Sequence, residues 1–131
     1  MIGYLKGDVI KKFPDGSSII LNVNGVGYRL ELPMSVFCDV TLNQAHVELY
    51  ILTHVREDAI RLFGFKSDSD LSMFESFLSV SGIGPKVALA LLGSFSSHEL
   101  CDVILSEDLA RLTSVPGVGG KTGERIILEM K

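Results

Sequence analysis

With 131 residues, 47% of them hydrophobic, the chain can bury a real core and has room for one domain or two small ones. No apolar run approaches the ~18 residues of a membrane helix, and the charges scattered through "MIGYLKGDVIKK" exclude a signal peptide, so the expectation is a soluble, cytoplasmic protein. Twelve basic against 16 acidic residues leave −4, spread as 6 and 7 through Phe65 and 6 and 9 after it, so no nucleic acid is held by bulk attraction.

Residues 1–65 read as strands. "GYLKGDVI" opens the series. "SIILNV" puts Ile19, Leu21 and Val23 on one face, and "VGYRLEL" does the same with Val26, Tyr28, Leu30 and Leu32. Asn24-Gly25 between them signals a type I′ hairpin. "HVELYILTHV" alternates through Val47, Leu49, Ile51, Thr53 and Val55, and "AIRLFGF" follows a short acidic loop. Five short antiparallel strands suit a small barrel of the OB type. "KSDSD" then links and caps, and the period changes: Leu71, Phe74, Phe77 and Leu78 fall at helical spacing, and Ser96 to Glu99 forms a capping box ahead of Leu100, Val103 and Ile104. The expected fold is α+β in two domains, a barrel over 1–65 and an all-α domain over 66–131. Cys38 and Cys101 stand apart from each other and from His46, His54 and His98, so both are expected as buried thiols, with no metal or cofactor site.

The helical part contains a repeat. "FLSVSGIGPKVALALL" overlays on "LTSVPGVGGKTGERII" at a shift of 117 − 82 = 35 residues, with Gly82 on Gly117, Ile83 on Val118, Gly84 on Gly119 and Lys86 on Lys121. The GGKT of the second copy ends as a nucleotide-binding P-loop does. A P-loop needs glycine where Val115 stands and a strand ahead of it, whereas "SEDLARLTS" has helical spacing. What remains is helix, glycine-rich turn, helix. Glycines on either side of one hydrophobic residue let the turn take positive φ, bury Ile83 or Val118, and leave amides uncovered at a helix N-terminus, where the following lysine completes a site for one phosphate. Both copies resemble the helix-hairpin-helix motif, which holds a DNA backbone without reading its bases.

In order along the whole chain, "MIGYLKG", "GVGY", "HVREDA", "LFGF", "GIGPKVALALL" and "PGVGGKTGERIILEMK" resemble the RuvA family of Holliday-junction-binding proteins. The resemblance implies an OB-fold domain at the centre of a homotetramer or a face-to-face octamer, with tandem hairpins holding the arms of four-way junction DNA. It implies a non-catalytic subunit of a branch-migration machine in recombination and repair. Its partners would be a RuvB-type ring ATPase, which performs the hydrolysis, and a RuvC-type resolvase. By the same resemblance Glu57 and Asp58 form an acidic pin that parts strands at the crossover. Lys86, Lys121, Thr122 and Arg125 join the two glycine turns in contacting DNA, although Arg125 also stands at i,i+4 spacing from Glu129. Arg56 either meets DNA or balances the pin. The family usually carries Lys at the position of Gly120 and Ala at that of Gly123. It also continues into a third, ATPase-contacting domain, whereas this chain stops at Lys131 inside an expected helix.

Two other classes compete. A helix-hairpin-helix glycosylase would pair Lys86 with Asp102, but needs more helices than half of this chain supplies. A single-strand-binding OB protein would need exposed aromatics, for which Tyr4 and Tyr50 are the candidates, with Tyr28, Phe63 and Phe65 expected to face inward.

Overall fold

A glycine lets the first strand serve two partners. β1 (Tyr4–Phe13) pairs antiparallel with β4 (Val47–Val55) through Tyr4 to Gly7, then with β2 (Ser18–Val23) through Asp8 to Phe13. At the change of partner, a Cβ on Gly7 would lie 2.2 Å from the carbonyl oxygen of Asn22, so only glycine lets the strands approach this closely. β3 (Val26–Glu31) and β5 (Ile60–Phe65) complete a closed barrel in the order β1-β2-β3-β5-β4. The computed structural model describes residues 1–131, which divide into two compact units, Met1–Leu71 and Ser72–Lys131.

The five-stranded barrel is as expected, but its strands are not all antiparallel. Leu30 and Glu31 of β3 pair in parallel with Leu62 and Phe63 of β5. The reason is parity: an odd number of strands cannot alternate direction all the way round a closed ring. The Asn24-Gly25 turn has φ of +52° and +91°, and Gly25 donates its amide to Oδ1 of Asn22 at 2.9 Å. Val9, Ile19, Leu21, Leu30 and Leu49 fill the interior.

A short helix, α1 (Met34–Asp39), leads from β3 towards β4. Six residues are too few to show a period, which is why the sequence hides it. Val36 and Phe37 are buried, and Lys12 donates from Nζ to the carbonyls of Phe37 at 2.9 Å and Val40 at 2.7 Å, placing a cation at the helix C-terminus.

Two expectations about side chains need correction. Cys38 and Cys101 are exposed, not buried, because Val36 and Phe37 in one helix, and Leu100, Val103 and Ile104 in the other, take the inward faces. Phe63 and Phe65 are fully buried, but register sets them opposite Leu52 and Tyr50, on the face away from the barrel core. Tyr28, opposite Leu21, is partly buried and packs against that core, the inward face expected of it.

Five helices follow: α2 (Asp68–Ser79), α3 (Pro85–Ser94), α4 (Ser97–Leu105), α5 (Leu109–Thr113) and α6 (Gly120–Met130). Phe77, Leu91, Leu100, Leu112 and Ile126 are fully buried among them. No single helix is long and apolar enough to cross a membrane. The capping box at α4 is formed: Ser96 Oγ accepts from the Glu99 amide and Glu99 Oε1 accepts from the Ser96 amide, both at 3.1 Å.

The Ser96 amide, with the Ser96 hydroxyl, holds the Glu99 carboxyl below its ordinary range. Its contribution to stability is therefore complete above the ordinary glutamate pKa and is lost as pH falls through the lowered one. Ser96→Ala should cost about 1 kcal/mol at neutral pH. Glu99→Gln should cost less, and the cost should vanish in acid. Urea unfolding at neutral and acidic pH measures both.

Candidate nucleic-acid interface

The two copies of the repeat fold alike, atom for atom along the turn. In the first, the amide of Val80 donates to Phe77 O at 3.0 Å and that of Ile83 to Val80 O at 3.1 Å. In the second, Val115 donates to Leu112 O at 3.2 Å and Val118 to Val115 O at 3.0 Å. Gly82 has φ +88° and Gly117 +91°, a region that a side chain makes costly. The reversal buries Ile83 and Val118 and leaves both glycines of each turn exposed.

The second glycine of each turn behaves differently from the expectation. Gly84 (φ −99°, ψ −179°) and Gly119 (φ −88°, ψ 179°) are extended N-caps in a conformation open to any residue. A Cβ on either would meet nothing within 4 Å. The fold does not require glycine there. A group arriving from solvent does, if it must come close to the backbone.

That backbone is rich in donors. The first helical bonds run from Ala88 to Gly84 O at 3.1 Å and from Gly123 to Gly119 O at 2.9 Å. The amides of Lys86 and Val87, and of Gly120, Lys121 and Thr122, precede them and have no partner in the chain. Pro85 offers none, so the second turn presents one donor more than the first. Lys86 and Lys121 are exposed and carry no ion pair. Hydrogen bonds to a charged group contribute about 1.5–3 kcal/mol each.

A groove of about 450 Å³ joins the copies, with Ser81 and Gly82 on one side and Lys121, Thr122 and Arg125 on the other. Glu124 also lines it and opposes an anion. Arg125 lies 3.7 Å from Glu129, the pair that its spacing allows. Ser81 was not singled out from sequence, since its counterpart Pro116 breaks the repeat there. Some acids of the helical unit are occupied elsewhere: Glu99 lies 3.8 Å from Arg111, Glu107 2.6 Å from Lys131, and Asp102 3.6 Å from the His98 ring. Gly123 is buried, and a Cβ there would come within 2.7 Å of Leu109 Cδ1, the mobile end of a leucine that would have to turn aside.

In the barrel, Glu57 and Asp58 sit at the tip of the β4–β5 hairpin, closed by the Arg56 amide donating to Ala59 O at 2.8 Å. Both acids are exposed and neither has a cation partner. Arg56 pairs with neither of them. Val55 and Ile60 flank the tip at 62% and 71% exposure, an apolar base under two unneutralised charges.

Residues 1–64 match the model of the RuvA N terminal domain, and residues 74–131 match that of the SAM-like helix-hairpin-helix tandem. All 131 residues align at 45% identity with the Holliday junction branch migration complex subunit RuvA of Geotalea daltonii. Proteins of the same name from Geobacter metallireducens and Legionella pneumophila align over the same span at 47% and 43%. The chain spans about 65% of the length of these relatives.

The contrast between the two glycines is testable. Gly82→Ala and Gly117→Ala should destabilise the fold by roughly 1–2 kcal/mol each. Gly84→Ala and Gly119→Ala should leave the thermal midpoint nearly unchanged and weaken binding to labelled four-way DNA about tenfold or more. Melting curves and fluorescence anisotropy on the same four variants separate the two effects.

Proposed function

We propose that this chain, which belongs to the RuvA family, binds four-way DNA junctions by their backbones and presents them to a ring ATPase of the RuvB type for branch migration. The observation that carries the reading is the duplicated turn: two sets of unpartnered amides, each with a free lysine, on one helical unit. Such donors grip phosphate oxygens and touch no base edges, so binding is indifferent to sequence. Specificity must then come from arrangement. One hairpin pair on a chain of net charge −4 binds duplex weakly. Four pairs on a homotetramer engage four arms, each later contact forming at high effective concentration.

The Glu57 and Asp58 carboxylates play the opposite part. Unpaired at an exposed tip, they repel converging phosphates and favour separated strands over a continuous duplex. The subunit catalyses nothing itself. Hydrolysis belongs to the motor, and the barrel and hairpins give it a positioned substrate.

Lys86→Ala and Lys121→Ala should each reduce the slope of log affinity against log salt by about 0.9 for every chain that holds the junction, one duplex phosphate per site, hence about 3.6 for four chains, equally for any sequence. An unchanged slope in both would remove the hairpins from the interface.

Glu57→Gln with Asp58→Asn should tighten binding to linear duplex and lower the junction-to-duplex ratio. Raising salt should shrink the difference between variant and parent, since charges beyond the Debye length of about 8 Å at physiological ionic strength no longer interact. If junction and duplex affinities at low salt match the parent's, the acids are only a solvated turn.

A further inference from the structure

The outer surface of the barrel carries a second concentration of unpaired cations, far in sequence from the hairpins. Register aligns Lys11 of β1 with Ile20 of β2 and Ile20 with Arg29 of β3; the next row is Phe13, Ser18 and Glu31. The intervening Ile19 and Leu30 point into the core, so both rows lie on the outer face. There the Arg29 guanidinium lies 4.0 Å from the centroid of the Phe13 ring, and Lys11 Nζ lies 5.1 Å from the same ring. Arg29 Nη2 reaches Ser18 Oγ at 3.5 Å, which ties the guanidinium to the sheet.

Neither cation has a carboxylate partner. The one acid in these rows, Glu31, is taken by Arg61 in two hydrogen bonds of 2.6 and 2.8 Å. Two like charges held against one ring repel each other, and an anion between them relieves this. An arginine plane on an aromatic ring is also a stacking platform for an unpaired base. Duplex DNA hides its base faces and a single strand offers them. We propose that this face binds a single-stranded DNA segment, with a base on the Arg29 and Phe13 stack and flanking phosphates on Lys11 and Arg29. The exposed pair Tyr4 and Tyr50 suits this less well, because the rings meet edge to face at 5.9 Å and the Tyr4 hydroxyl donates to Glu48, an acid at the site.

The test compares two probes, fluorescein-labelled oligothymidylate and a fully paired four-way junction, by anisotropy. Lys11→Ala with Arg29→Ala should lower affinity for oligothymidylate about tenfold. It should also flatten the log–log salt slope by about 1.4, two single-strand phosphates, and leave junction affinity within about twofold. Lys86→Ala with Lys121→Ala should do the reverse, so failure of the hairpin reading and failure of this one show in different probes. Arg29→Lys keeps the charge without the plane, and should hold the slope while losing part of the affinity. The proposal is overturned if the double variant binds oligothymidylate as the parent does, or loses junction affinity equally. A change in its mass by light scattering would also overturn it, and would make the face a contact between copies. Should the double variant fail to fold by circular dichroism, Arg29→Lys decides: parental affinity for oligothymidylate overturns the proposal.

Discussion

Everything at the interface follows from one backbone reversal, the positive φ of Gly82 and Gly117. That single dihedral turns the chain so that the next residue, Ile83 or Val118, drops into the core while the amides after it face solvent. Burial and donor exposure are thus coupled. The hydrophobic side chain anchors the turn, and the anchored turn holds unpaired N–H groups in fixed directions at a helix N-terminus, where the macrodipole adds its partial positive charge. A flexible loop with the same amides would have to be ordered by each phosphate it met, and binding would be weaker by that entropy.

The charge balance explains why such rigidity is needed. With 12 basic and 16 acidic residues the molecule has no general attraction for DNA. On the proposed reading attraction is instead local, made by backbone dipoles that carry no formal charge and by a few lysines without acid partners. Much of the acidity is absorbed in pairs such as Glu107 with Lys131 and Glu129 with Arg125, or spent at helix starts, as with Asp68 and Asp70 in the first turn of α2. Glu57 and Asp58 stay unpaired at the exposed tip of the β4–β5 hairpin, where, on the proposed reading, repulsion is itself useful. A weakly held duplex and a strongly held branched structure are what such a distribution favours.

Closure of the barrel governs the other half of the molecule. Because five strands cannot alternate around a ring, β3 and β5 run parallel, and β5 reaches that position through a tight hairpin from β4. The hairpin tip that bears the acids is therefore held by two ladders, one on each side of β5. Sheet geometry also gathers Lys11, Phe13 and Arg29, residues from two strands separated by a third, into one surface feature.

Much of this was legible in the sequence because it depends on local rules. The alternation of Ile19, Leu21 and Leu30, the Asn24-Gly25 turn and the Ser96 to Glu99 box all act within a few residues, and each formed as the local chemistry required. The 35-residue repeat likewise exposed two equivalent turns before any coordinate did. Tertiary structure alone decided the remainder. Parallel pairing of β3 and β5 is a property of the closed ring, and no window of sequence contains it. The exposure of Cys38 and Cys101 depends on which helix faces meet a core. The extended φ of Gly84 and Gly119 separates glycine needed for folding from glycine that leaves room for a ligand, and composition cannot distinguish these. The stack of Arg29 on Phe13 joins residues 16 apart, by 29 − 13, across an intervening strand. Local propensity sets which elements form, but which side chains meet is settled only when distant strands and helices close on one core.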